Sequence, residues 1–122
     1  MKEITEKWLA TAGLRYLKRY VPSVNQFRQV LRRKVNRRIK EHGGDREQAY
    51  SLIENEIECR IANGMLNDQS YANYWVDYLH SKGKSKYLIT QKLRQKGICQ
   101  EIIANEIKRI SSRYEQLEAA LI

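Results

Sequence analysis

A shift of 62 residues lays the second half of this chain on its first, and that internal repeat restricts the possible folds more than any other feature. Leu14, Tyr16, Leu17, Ser23, Phe27, Leu31 and Lys34 fall on Val76, Tyr78, Leu79, Ser85, Ile89, Leu93 and Lys96. Beyond them the shift drops to 50, and Ala49, Leu52, Ile53 and Ile57 fall on Cys99, Ile102, Ile103 and Ile107. The first copy therefore holds about 12 extra residues within 35–47. Polar cap positions and apolar core positions match together, which chance seldom produces, so one supersecondary unit is repeated.

Each copy reads as three helices. In the first, Leu9, Ala12, Tyr16, Leu17 and Tyr20 lie at helical spacing over residues 5–20, and Pro22, which has no N–H to donate, ends the run. Ser23 is placed to cap a second helix, in which Phe27, Leu31, Val35 and Ile39 recur every four residues until His42-Gly43-Gly44. Asp45 caps the third, with Gln48 three residues on, and Ala49, Leu52, Ile53, Ile57 and Ile61 form its stripe as far as Gly64. In the second copy, Asn67 or Asp68 opens a helix bearing Tyr71, Ala72, Trp75, Val76 and Leu79, which Lys82-Gly83 closes. Ser85 caps a short helix with Leu88, Ile89 and Leu93, and Gly97 closes that. The last begins after Ile98 and carries Ile102, Ile103, Ile107, Ile110 and Tyr114.

The expected fold class is all-α, with tandem three-helix, helix-turn-helix-like repeats packed into an elongated right-handed or curved array. The first repeat, with an elongated basic second helix, is expected over 1–64 and the second over 65–117. Residues 118–122 then read as the start of a missing third repeat or as a frayed tail. One unit of about 45–60 residues buries little apolar surface, so the units are expected to pack on each other.

The 23 Lys and Arg exceed the 14 Asp and Glu, for a formal net charge of +9. A field of that sign draws in polyanions. The excess is concentrated. Residues 28–40 hold Arg28, Arg32, Arg33, Lys34, Arg37, Arg38 and Lys40 without an acid, and residues 82–96 hold Lys82, Lys84, Lys86, Lys92, Arg94 and Lys96 without one. Both runs fall on the middle helix of a copy or on the turn before it. At about 100° per residue, Arg33, Arg37 and Lys40 point away from the Phe27, Leu31 and Val35 stripe. Arg38 comes round to the angle of Phe27, so either the helix leaves the core beyond Val35 or Arg38 lays its stem along apolar surface. The candidate contacts for a partner or nucleic acid are Arg28, Arg32, Arg33, Arg37, Arg38, Lys82, Lys84, Lys86, Arg94 and Lys96. The competing interpretation is a solvated face. Asn25, Gln26, Gln29 and Asn36 do not form a base-reading set, so the basic helices suit phosphate contact without sequence recognition. Tyr87, beside Lys86, is placed to be exposed and could stack on a base or a partner side chain.

Nothing points to an enzyme. There is no GxxxxGK[ST], no HExxH, no Gly-rich phosphate loop and no GxS-type or Cys/His nucleophile arrangement. His42 lies in a glycine turn, and His80 near a helix end, where it can meet the dipole. Asp68 is explained as a cap, and Glu54, Glu56 and Glu58 as a solvated face. No metal or cofactor is expected. Cys59 and Cys99 are 40 residues apart without a neighbouring histidine, which suits no zinc site; both fall on apolar faces and are expected as buried, reduced thiols. The opening MKEITEKWLATAG has no apolar stretch of about 7–15 residues, so no signal peptide is expected. No membrane span is expected either, and the expected location is the cytoplasm.

Residues 64–98, GMLNDQSYANYWVDYLHSKGKSKYLITQKLRQKGI, resemble the RecX family of recombinase regulators. The matching elements are Gly64, Leu66, Asp68, Tyr71 and Ala72, then the basic turn Lys82 to Ser85, then Leu93, Lys96, Gly97 and Ile98. Upstream, AGLRYLKRYVPSVNQFRQVLRRKV is similar to the family's first unit, and an elongated Arg-rich helix ending at His42-Gly43 occurs in part of the family. The resemblance covers about residues 8–110. It implies stacked three-helix units, normally three, of which two are legible here. It also implies a partner, the filament that a RecA-type recombinase forms on single-stranded DNA. Such proteins lie in the filament groove and modulate ATPase, strand exchange and filament growth, usually by inhibition. The chain is then expected to act as a monomer that is not an enzyme. The alternative is a free-standing, helix-turn-helix-like nucleic-acid-binding protein.

Overall fold

The structure, a computed structural model, describes the backbone of residues 4–121 and the side chains of residues 4–112. Six helices follow one another: α1 (Glu6–Leu17), α2 (Val24–His42), α3 (Arg46–Ala62), α4 (Asp68–Ser81), α5 (Lys86–Gln95) and α6 (Gln100–Leu121). There is no strand among the described residues. The chain is all-α, with two compact units of three helices each, Met1–Asn67 and Asp68–Ile122. Within each unit every helix packs on the other two. Leu66, 2% exposed, joins the first core, so that unit extends past the Gly64 boundary expected from the sequence. The tail expected at 118–122 lies outside the described side chains.

The helix starts follow local chemistry. The Thr5 hydroxyl accepts from Trp8 N–H (3.1 Å), the Asp45 carboxylate from Gln48 N–H (3.2 Å) and the Ser85 hydroxyl from Leu88 N–H (3.2 Å). At Ser23 the exchange is reciprocal. Gln26 N–H donates to Ser23 Oγ (3.2 Å), and Ser23 N–H donates to Gln26 Oε1 (3.0 Å), so two orphan donors are satisfied in one capping box. Ser23 is fully buried, and water cannot replace the lost bonds. Ser23→Ala is therefore expected to cost about 1–2 kcal/mol in chemical denaturation. A loss below about 0.3 kcal/mol would show that the cap is dispensable.

The helix ends of the second unit close alike. Gly83 and Gly97 have φ of 77° and 78°, a left-handed region that side chains resist. That turn lets Lys84 N–H reach Leu79 O (3.1 Å) and Ile98 N–H reach Leu93 O (3.1 Å), and Ile98 drops into the core.

Each unit has its own core. Leu9, Phe27, Leu31, Val35, Ala49, Ile53, Ile57 and Leu66 form the first, and Tyr71, Ala72, Val76, Ile89, Leu93, Ile98, Ile103 and Ile110 the second. The sequence repeat survives in α2/α5 and α3/α6, where Phe27 and Ile89, Leu31 and Leu93, and Ile53 and Ile103 are all buried. In α1/α4 the register moves by one residue. Leu9 and Gly13 share their burial with Ala72 and Val76, while Tyr78, the sequence match to Tyr16, is 45% exposed. The cause is the connection. α1 stops at Leu17, three residues before the expected end, and the 18–23 link carrying Pro22 is longer than the 82–85 turn.

Two further expectations are corrected. Both cysteines are free but exposed. Cys99 immediately precedes α6, where its carbonyl accepts from Ile103 N–H (3.1 Å), whereas its sequence match Ala49 lies inside α3. Ile98 takes the buried place instead. The solvated acid face of α3 is likewise incomplete, because Glu56 is only 8% exposed and Arg60 Nε meets its carboxylate at 2.8 Å. Its match under the shift of 50, Glu106, is 3% exposed and is held by Arg109.

Candidate functional site

Helix α2 packs against α1 and α3, and its cations differ by the neighbour they meet. Toward α3, Arg28 forks onto Glu54, with Nε to Oε2 at 2.8 Å and Nη2 to Oε1 at 3.0 Å. One turn on, the Arg32 guanidinium lies 4.6 Å from the Tyr50 ring centre. The Tyr50 hydroxyl is fixed by Asn36, which donates to it at 2.9 Å and accepts from it at 3.1 Å, and Arg46 Nε donates to the same Asn36 oxygen at 3.1 Å. Toward α1, the Arg38 guanidinium lies 4.9 Å from the Trp8 ring centre. That contact resolves the Arg38 angle, since the stem crosses apolar surface and the charge settles on an aromatic face.

Arg33 and Arg37 are different. Both are exposed on the outward face of α2, as is Lys40, and neither arginine side chain has an ion pair or hydrogen bond among the described residues. The five α2 candidates therefore divide. Arg28, Arg32 and Arg38 hold the helix to its neighbours, and Arg33 and Arg37 are left exposed. Between α1 and α2 runs a shallow groove of about 320 Å³, lined by Trp8, Arg15, Lys34, Arg37, Arg38 and Glu41 among others. Arg15 was not among the candidates expected from the sequence. Its signal was faint, a cation two turns along α1 from Trp8.

In the second unit the candidates form two groups. Lys82, Lys84 and Lys86 are exposed in the α4–α5 turn and the first turn of α5, and Lys82 Nζ lies 5.6 Å from the Tyr78 ring centre. Arg94 and Lys96 sit at the other end of α5, about 15 Å away at 1.5 Å per residue. There Arg94 donates to Gln100 Oε1 at 3.2 Å, Lys96 is half-buried, and both charges suit the helix C-terminus. The lysine triad is the accessible group.

Asp77 and Glu106 are occupied elsewhere. Arg109 Nη2 donates to each at 2.9 Å, and Gln69 donates to Glu106 Oε2 at 3.1 Å. The hydrogen bond to Glu106 is the main cause that raises the Arg109 pKa above its ordinary value; desolvation opposes it, and Asp77 adds to it. The basic triad is thus not neutralised by these acids. Sequence reasoning also missed Tyr74 and Tyr78, exposed on α4 one turn apart. Their i, i+4 spacing away from Ala72 and Val76 was the available signal.

No group of side chains suited to a metal occurs among the described residues, and no described helix is long and apolar enough to cross a membrane.

Residues 67–105 match the family model described as RecX, second three-helix domain. Over 121 residues, 99% of this chain, the sequence is 36% identical to the regulatory protein RecX of Myxococcus xanthus (strain DK1622), of which it covers 65%. The regulatory proteins RecX of Lactococcus lactis subsp. cremoris strains SK11 and MG1363 are 35% and 33% identical over 69 residues, which are 56% of this chain and 26% of each relative. The chain thus spans about two thirds of the length of the first relative and about a quarter of the other two. No solved structure matches it. The second unit thus matches a RecX three-helix domain, and the chain is similar to a regulatory protein RecX along nearly its whole length.

Proposed function

We propose that this protein is a non-catalytic regulator of a RecA-type recombinase, binding the filament on single-stranded DNA and inhibiting its ATPase, strand exchange and growth. The observation that carries the proposal is the similarity to regulatory protein RecX along 99% of the chain. The surface chemistry supports it. Arg33 and Arg37 in one unit, and Lys84 and Lys86 in the other, are exposed cations that suit acidic protein surface or phosphates in a filament groove. The protein acts as a cytoplasmic monomer, and occupying the groove is what obstructs pairing and turnover.

The test is the recombinase's DNA-dependent ATPase, titrated with the purified chain. Turnover is expected to fall as the chain is added. The Arg33→Ala, Arg37→Ala double variant should need about tenfold more protein for the same inhibition, at roughly 0.7 kcal/mol for each exposed charge contact. Unchanged turnover at large molar excess would remove the proposal for this chain.

A further inference from the structure

Helix α4 carries two exposed tyrosines that this regulatory reading leaves unused. Tyr74 and Tyr78 are 66% and 45% exposed, one turn apart. Both meet Trp75 edge-on, with ring centres 5.8 Å and 5.6 Å away and planes at 85° and 88°. Trp75 is itself half-buried and lies 6.3 Å from Tyr71, a member of the second core. The two tyrosines are therefore propped from the core through one indole, and little ordering cost remains when a ligand stacks on them.

Three lysines adjoin them. Lys82 lies over the Tyr78 ring, Lys84 and Lys86 follow in the adjoining turn, and Tyr87 beyond them is 75% exposed. Asp77, the acid on this face, is held by Arg109 at 2.9 Å. A shallow concavity of about 610 Å³ runs beside the tyrosines, with Asn73 and the Arg109-paired Asp77 on its wall. Exposed aromatic rings among lysines fit a ligand that is flat and anionic at once. An unpaired strand of nucleic acid is such a ligand, since every base has a π-face and every linkage a charge. A duplex hides its base faces, and an acidic peptide has no flat group for the rings.

We propose that this face of the second unit is a stacking site for the unpaired bases of single-stranded nucleic acid. Tyr74, Tyr78 and Tyr87 take the bases, and Lys82, Lys84 and Lys86 take the phosphates. The site does not depend on the recombinase, so it is tested on a bare strand.

The measurement is fluorescence anisotropy of three labelled DNA probes of equal length with the full chain: an oligothymidylate, an abasic strand with the same phosphates, and a duplex. The oligothymidylate is expected to bind about 5- to 30-fold more tightly than the abasic strand, the gain that aromatic stacking supplies. It should also bind more tightly than the duplex. The Tyr74→Leu, Tyr78→Leu variant should lose most of the gain and bind oligothymidylate close to the abasic level, with an unchanged salt slope. Tyr78→Phe should keep it. The Lys84→Gln, Lys86→Gln variant should weaken both strands and reduce the salt slope by about 1.4, or roughly 0.7 per phosphate contact. The tyrosines are exposed, so circular dichroism of the variants should match the parent. Equal binding of the abasic strand, a duplex preference, or a double-leucine variant that keeps the base-dependent gain would each overturn the proposal. So would failure to bind a bare strand at all, and that result would leave the recombinase ATPase test standing on its own.

Discussion

Arg109→Met is expected to destabilise the second unit by about 3 kcal/mol, whereas Glu106→Leu at the other end of the same ion pair should cost much less. The asymmetry comes from burial. The Glu106 side chain is 4% exposed and that of Arg109 is 32% exposed. Removing the guanidinium leaves a carboxylate inside the unit with Gln69 as its remaining donor, at 3.1 Å, too little to compensate a desolvated charge. Removing the carboxylate leaves an arginine that still reaches Asp77 at 2.9 Å and water beyond it. The double variant, Arg109→Met with Glu106→Leu, replaces the pair by apolar volume and should recover most of the loss. The readout is urea unfolding of the full chain followed by Trp75 fluorescence, with Trp8→Phe as background so that one indole reports. Equal losses from the two single variants would mean that the pair behaves as a surface salt bridge.

The same pair shows why part of this structure was hidden in the sequence. Glu56 and Glu106 sit at positions that match under the shift of 50, and both are buried beside an arginine, Arg60 at i+4 and Arg109 at i+3. An acid near an apolar stripe reads as solvated because most such acids are. What separates a buried one is the arginine one turn on and the recurrence of glutamate at the equivalent place, and neither is conspicuous alone. The core stripes were legible because their signal is local. Phe27, Leu31 and Val35 recur every four residues, and all are fully buried. Ser23, Asp45 and Ser85 were legible as caps because a cap bonds within its own first turn.

The basic helix was legible only as a set. A wheel predicts that Arg33 faces out, and it does. It cannot predict that Tyr50 on α3 and Trp8 on α1 stand ready to take Arg32 and Arg38, because those rings come from other helices. Cys99 failed for a related reason. The alignment that paired it with Ala49 holds for the α3 and α6 interiors but not for their starts, since α6 begins later in the repeat.

Gly13 is the clearest case of a residue explained only by its neighbour. It lies buried inside α1, where glycine costs about 1 kcal/mol relative to alanine, and its φ is not positive. Conformation therefore gives no reason for it, but space does. A Cβ there would stand 2.9 Å from Phe27 Cζ and 3.5 Å from Glu56 Oε1. Phe27 is fully buried with Tyr16 6.4 Å away, so the ring has little room to yield. In the second unit the corresponding pair is Val76 and Ile89, both fully buried. A smaller residue on the middle helix there accompanies a larger one on the first helix. Gly13→Ala should accordingly lower stability by about 1 kcal/mol, with overpacking outweighing the helix-propensity gain. Gly13→Val should lower it by about 3 kcal/mol. Phe27→Ile alone opens a cavity and should cost about 2 kcal/mol. Joined with Gly13→Val it transplants the second unit's solution, and the double variant should be more stable than Gly13→Val alone, with a coupling of about 2 kcal/mol. Denaturation of the four proteins, read at Trp8 with Trp75→Phe as background, closes the cycle. Simple additivity would show that Gly13 is not there to make room for Phe27, and the volume exchange between the repeats would lose its physical basis.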